Sequence, residues 1–320
     1  MRAREPDHQG YVDNDGVKIG YEAFGDGTPT ILLLPTWTIV NARFWKAQVH
    51  YLARHFRVVT FDGPGNGRSD RVLDPQAYST DAYANAALEV LDATGTGRAV
   101  LVSLSAGAQW QLQLMATRPD RCLGGVFIAP SLAILPGHPA RNAILDAFDE
   151  PLPTVEGWAK YNRHYWQRDW RDFSEFFFSQ CFTEPHSTKQ IEDCVGWSLE
   201  SSVDVMLADA AAGGTSKEQI LAWCDAIESA VLVIHGDDDR ISPLSRGKAL
   251  AEATGGTLVA MEGAGHIPLA RDPVAVNLAI AEFVRGLAGD TSAPRRWSRG
   301  RTRPKRALYI SSPIGLGHAQ

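Results

Sequence analysis

Hydrophobic residues in this chain fall into short uninterrupted runs divided by longer stretches of helical character. Thr30-Ile31-Leu32-Leu33-Leu34 and Arg57-Val58-Val59-Thr60-Phe61 are runs of the kind buried on both faces of a parallel sheet. Ala99 to Leu104, Leu123 to Ala129, Ala230 to His235 and Thr257 to Met261 repeat the pattern. Helices are expected over Arg43–Arg54, Thr80–Thr94, Ala106–Thr117, Pro243–Ala253 and Pro273–Leu287. Near the N-terminus, Gly10–Asp13 and Val17–Phe24 flank Asn14-Asp15-Gly16, a hairpin signal. Strands alternating with helices predict an α/β architecture, a doubly wound and mainly parallel sheet of about eight strands.

The rhythm breaks between Leu132 and Ala226. That stretch offers no strand-like run but is crowded with aromatics, among them Trp158, Tyr161, Tyr165, Trp166, Trp170, Phe173, Phe177, Phe178 and Trp197. A helical insertion is expected there, its aromatics packing on one another or lining an apolar pocket. The expected organisation is a core of residues 1–131 and 227–288, an insertion over 132–226, a basic linker over 289–304 and a separate stretch over 305–320.

Candidate chemistry gathers at the ends of the predicted strands. The fifth strand runs into Ser103-Leu104-Ser105-Ala106-Gly107, and a helix begins at once. A serine on such a strained corner is pushed out of the sheet, and small neighbours let strand and helix approach closely. Ser105 is therefore the candidate nucleophile, provided that a base and an orienting acid lie near it. Two later loops follow strand ends and supply both types: Gly236-Asp237-Asp238-Asp239 and Gly263-Ala264-Gly265-His266. Ligands of open α/β sheets bind outside the carboxyl ends of strands, so both loops face the same edge.

Four blocks carry a resemblance: Asp62-x-x-Gly-x-Gly-Arg-Ser-Asp70, Ser103-x-Ser105-x-Gly107, His235-Gly-Asp-Asp-Asp239 and Gly265-His266. Over about residues 10 to 288 the chain resembles the α/β-hydrolase superfamily, in the branch of capped serine esterases. The resemblance implies a triad in the order Ser105, Asp239, His266, with the cap inserted after the sixth strand. Asp239 matches the position of the family acid; Asp237 and Asp238 are left as capping or solvated loop residues. The loop after the sixth strand, Ala129-Pro130-Ser131, holds no alternative carboxylate.

The same resemblance assigns an oxyanion hole to the backbone amides of Ala106 and Trp37. Here the sequence departs from the family. Pro35 and Thr36 stand where relatives carry His-Gly, so no imidazole can brace that loop. A serine at the elbow also argues against haloalkane dehalogenase and epoxide hydrolase activity, which use aspartate there. No metal or organic cofactor is implied.

Composition narrows the partners. The net charge of −6 hides a split, because residues 291–320 hold seven basic residues and no acidic ones. The rest of the chain retains 24 of the 31 basic residues against all 37 acidic ones, a poor surface for nucleic acid. No apolar run serves as a secretory signal or spans a bilayer, and four scattered cysteines fit a reducing compartment, so a cytoplasmic protein is expected. Arg306 to His318 resembles the opening strand and loop of a two-Rossmann-domain glycosyltransferase, which suggests a longer parent chain with such a domain fused behind.

The expected function is a carboxylic ester hydrolase acting on a small to medium apolar substrate through an acyl-enzyme. Alternatives on the same scaffold are C–C bond cleavage in a ring-fission diketone and cofactor-free perhydrolase or haloperoxidase activity. Outside enzymology, the alternatives are a receptor-like ligand-binding protein and an accessory module for the fused transferase.

Overall fold

A computed structural model describes residues 4–287. Eight strands form one sheet: β1 (His8–Asn14), β2 (Val17–Phe24), β3 (Thr30–Leu33), β4 (Arg57–Phe61), β5 (Ala99–Leu104), β6 (Cys122–Ile128), β7 (Val231–Gly236) and β8 (Thr257–Met261). Their order across the sheet is β1-β2-β4-β3-β5-β6-β7-β8. The β1–β2 and β2–β4 pairings are antiparallel and all others parallel. Between β1 and β2 the chain reverses through Asp15 at φ 53° and Gly16 at φ 83°, two successive left-handed residues of a tight hairpin.

Twelve helices accompany the sheet among the described residues: α1 (Lys46–Leu52), α2 (Thr80–Ala93), α3 (Gly107–Thr117), α4 (Pro139–Leu145), α5 (Arg163–Arg168), α6 (Trp170–Cys181), α7 (Thr188–Ser198), α8 (Val203–Ala211), α9 (Lys217–Asp225), α10 (Leu244–Ala253), α11 (Pro268–Arg271) and α12 (Pro273–Leu287). The helix expected over 43–54 is divided: a 3₁₀ turn at Ala42–Trp45, capped by the Asn41 side chain, precedes α1.

Alternation along the strands feeds two cores. Ile31, Leu33, Val100, Val102, Val126 and Ile128 point to one face, where α1 and α12 contribute Val49, Leu52, Val276, Ile280 and Val284. Leu32, Leu34, Leu101, Phe127 and Val233 point to the other, against Ala87 and Leu91 of α2, Leu112 and Met115 of α3, and Leu250 of α10. Because both faces are covered, these strands read as continuous apolar runs in the sequence.

The chain leaves β3 toward β4 on one side, then crosses to β5 on the other. The carboxyl ends of β3 and β5 therefore flank a topological switch point, where such sheets open a crevice. Helices α4 to α9 all lie between β6 and β7, within the stretch expected to be an insertion. They do not share one location. Ile220 and Cys224 of α9 are buried in the same core as α3 and α10, beside the sheet. The linker and the transferase-like stretch expected over 289–304 and 305–320 lie outside the described residues.

Candidate active site

Ser105 follows β5 directly and takes a left-handed conformation, φ 54°, that a non-glycine residue adopts at a cost. Neighbouring segments hold it there. Its N–H donates to the Ile128 carbonyl at 3.0 Å, and its own carbonyl accepts from Ser131 at 3.0 Å and Ala108 at 3.1 Å. Small residues are required for a specific reason. A Cβ at Gly107 would lie 2.4 Å from the Pro35 carbonyl oxygen and 3.3 Å from the Ser103 Cβ. The corner closes only because position 107 has no side chain.

The other two expected residues meet this serine. His266 Nε2 lies 2.8 Å from Ser105 Oγ, and His266 Nδ1 lies 2.7 Å from Asp239 Oδ2. Among the three adjacent aspartates the geometry selects one. Asp237 and Asp238 are exposed, Asp237 accepting the Gly263 N–H at 2.7 Å, whereas Asp239 is buried. Burial by itself would raise the Asp239 carboxyl. The positive charge available to His266 and the hydrogen bond from His235 outweigh it and hold the group well below the usual aspartate range. An ionised Asp239 only accepts hydrogen bonds, so the His266 proton sits on Nδ1 and Nε2 is free to accept from Ser105. Such a chain can withdraw a proton from a serine hydroxyl as the oxygen attacks a carbonyl carbon.

Asp239 is also satisfied on its other side. Its Oδ1 accepts the N–H groups of Ile241 at 2.8 Å and Ser242 at 2.9 Å. His235, the last side chain of β7 before the acid loop, is fully buried, with Nε2 3.1 Å from Asp239 Oδ2 and 2.8 Å from the Ser242 carbonyl. Both partners accept, so this nitrogen donates and braces the carboxylate. His235 stood in one of the sequence blocks, yet its role was not legible there. Nothing local shows that a strand residue reaches a carboxylate four positions later.

The loop after β3 passes beside the serine. The N–H groups of Trp37 and Ala106 are in no backbone–backbone hydrogen bond outside the helices and strands among the described residues. Ala106 directly precedes α3, so its amide is at the positive end of that helix. Thr36 Oγ1 donates to the Leu104 carbonyl at 2.8 Å, tying the loop to the strand that carries Ser105. The Trp37 ring meets Phe177 edge-on at 5.1 Å and Tyr161 at 6.0 Å, and its Nε1 donates to Asp209 at 2.7 Å. Asp209, on α8, was not singled out by the sequence, which holds no signal for a carboxylate 172 positions from its partner.

A cleft of about 860 Å³, partly open to solvent, starts at Ser105 and His266. Its walls are Ile39, Val40, Phe44 and Leu104 from the sheet side, and Phe177, Phe178, Cys181, Cys194 and Trp197 from α6 and α7. Of the expected insertion aromatics, these three line the cleft. Trp166, Trp170 and Phe173 pack on one another instead, with ring centres 5.0 to 5.5 Å apart. At the rim, Lys189 pairs with Asp193 at 2.7 Å. Burial raises the Cys181 and Cys194 thiols far above their ordinary values, so both act as small apolar surface. No group of His, Cys, Asp and Glu side chains able to hold a metal ion occurs among the described residues.

The sheet order, the elbow and the strand-end loops define an α/β hydrolase, and a family model for the alpha/beta hydrolase fold matches residues 29–273. The chain belongs to that family. It is 26% identical over 298 residues to the bifunctional esterase/perhydrolase DCH of Acinetobacter calcoaceticus, covering 86% of this chain and 99% of that protein. A relative from Caulobacter segnis named "Putative carbamate hydrolase RutD" is 38% identical over 91 residues, 28% of this chain. That match spans about a third of the relative's own length, 34%. Among solved structures, the bromoperoxidase of Bacillus anthracis superposes with a TM-score of 0.72 at 20% identity, over 87% of this chain and all of the other. At that identity the likeness is one of fold.

Proposed function

We propose that this protein is a serine hydrolase that cleaves carboxylic esters through an acyl-enzyme, with Ser105, His266 and Asp239 as its triad. The observation that carries the reading is the unbroken hydrogen-bonded chain from Ser105 Oγ, on the wall of an apolar cleft, to the buried Asp239. His266 takes the Ser105 proton as the oxygen bonds to the ester carbonyl carbon, and Asp239 steadies the imidazolium that results. The amides of Ala106 and Trp37 are the donors for the oxyanion. His266 then returns the proton to the departing alcohol. A water, deprotonated by His266, adds to the acyl-Ser105 carbonyl, and collapse releases the acid and restores the serine.

Apolar cleft walls favour small to medium apolar esters. The long match to an esterase/perhydrolase supports ester cleavage and gives perhydrolysis as the second reading, hydrogen peroxide replacing water against the same acyl-enzyme. The assay is turnover of p-nitrophenyl esters of increasing chain length, together with fluorophosphonate labelling. Ester turnover and labelling should both vanish in Ser105→Ala. Turnover that persists in that variant would refute the reading.

A further inference from the structure

We propose that Asp209 is the positioning residue of the oxyanion loop, fixing the Trp37 amide from the side of the insertion. This rests on the reading of Trp37 N–H as an oxyanion donor. Three successive side chains of the loop are anchored. Thr36 Oγ1 is tied to Leu104 at 2.8 Å, while Trp37 Nε1 and Thr38 Oγ1 reach the two oxygens of Asp209 at 2.7 and 2.9 Å. One carboxylate thus holds the side chains on the donor amide's own residue and the next. The loop needs such an anchor. Pro35 brings no ring N–H, and Thr36 and Trp37 bring ordinary side chains where a hole-forming loop must be held to a fraction of an ångström.

The hydrogen-bond directions are fixed by chemistry. An ionised Asp209 only accepts, so the single Thr38 hydroxyl proton goes to it, and the Tyr83 hydroxyl, 2.9 Å from Thr38 Oγ1, donates to Thr38. Tyr83 is itself locked against Trp110, the rings stacked at 3.6 Å. The titratable groups electrostatically linked to Asp209 are the hydroxyls of Tyr78, Tyr83 and Tyr161 from three separate elements. Arg71 acts on Tyr78 and Arg141 on Tyr161, its guanidinium 5.5 Å from that ring's centre; the groups acting directly on Asp209 are the neutral donors of Thr38 and Trp37. Burial raises the carboxyl to about 6, so it loses its charge, and one of its two acceptor oxygens, in mildly acid solution.

The purified chain is compared with Asp209→Asn, Thr38→Val and the double variant on a p-nitrophenyl ester. Asp209→Asn should lower kcat about tenfold to a hundredfold and leave KM within about twofold, as expected for a misplaced oxyanion donor. Thr38→Val should cost less, and adding it to Asp209→Asn should cost little more. Part of the fall in wild-type kcat on acidification should be missing from the Asp209→Asn profile. A folded Asp209→Asn with kcat within twofold of wild type, or with its whole loss in KM, overturns the proposal. If Asp209→Asn does not fold, Thr38→Val with unchanged kcat overturns it, and a kcat-only loss sustains it. Turnover surviving in Ser105→Ala would instead overturn the serine-hydrolase reading, whatever position 209 does.

Discussion

Gly107 sits so near the carbonyl of Pro35 that a Cβ on it would stand 2.4 Å from that oxygen. Two loops of the site, the elbow after β5 and the turn after β3, are therefore in register only while position 107 is bare. Gly107→Ala should push them apart. The expected result is a loss of about 1–3 kcal/mol in stability, as for an overpacked core, with a fall in kcat for ester hydrolysis. Thermal unfolding and kinetics on one preparation check it; a variant with unchanged Tm and kcat would contradict the close approach.

Asp239→Asn removes the charge that fixes the His266 tautomer. Where a serine protease triad loses its aspartate charge in the same way, kcat falls by about 10⁴, and a loss of that order is expected for ester turnover. Stability should respond with a defined sign. The folded-state carboxyl is held below its ordinary value of 3.8, so its support for the fold is present above that pH and disappears as pH falls through the folded value. Denaturant titrations should show the gap between wild type and Asp239→Asn closing below about pH 4.

Asp209 has the opposite linkage. Its carboxyl rises from 3.8 to about 6 on folding, so it favours the fold most below 3.8 and withdraws that support as pH climbs through about 6. The decline across that window is at most about 3 kcal/mol, from roughly two pKa units. Asp209→Asn, with no group to titrate, should flatten it. Denaturant midpoints at pH 4 and pH 7 for both proteins measure the difference, and parallel curves would show that the site is better solvated than the structure implies.

Cys194 lines the cleft from α7 and is buried. Cys194→Phe should fill the space beyond the serine and penalise long acyl chains while sparing acetate. With each excluded methylene worth about 1–3 kcal/mol, octanoate should lose tenfold or more in kcat/KM. Equal losses for acetate and octanoate would show that the chain runs elsewhere.

The sequence by itself determined the layered architecture, because every buried parallel strand is a local run of apolar residues and the hairpin turn is a local Asn-Asp-Gly signal. It also determined which residue types stand at the strand ends. Ser105 and His266 stood out by their positions at the ends of those strands, whereas Asp239 was preferred to its two neighbours only through the resemblance to the α/β-hydrolase pattern. Only the tertiary structure decided how these residues are supported. His235 braces Asp239 across a turn, the carbonyl of Cys181 at the end of α6 receives the backbone N–H of His266 at 2.8 Å, and Asp209 reaches Trp37 and Thr38 from 171 and more positions away. Such contacts leave no periodic trace. A single polar side chain satisfies its partner wherever the chain happens to return, and nothing in its own neighbourhood along the sequence depends on that meeting. The same holds for the insertion: its aromatics were legible as a group, but which three face the cleft depended on how α6 and α7 pack over the sheet edge.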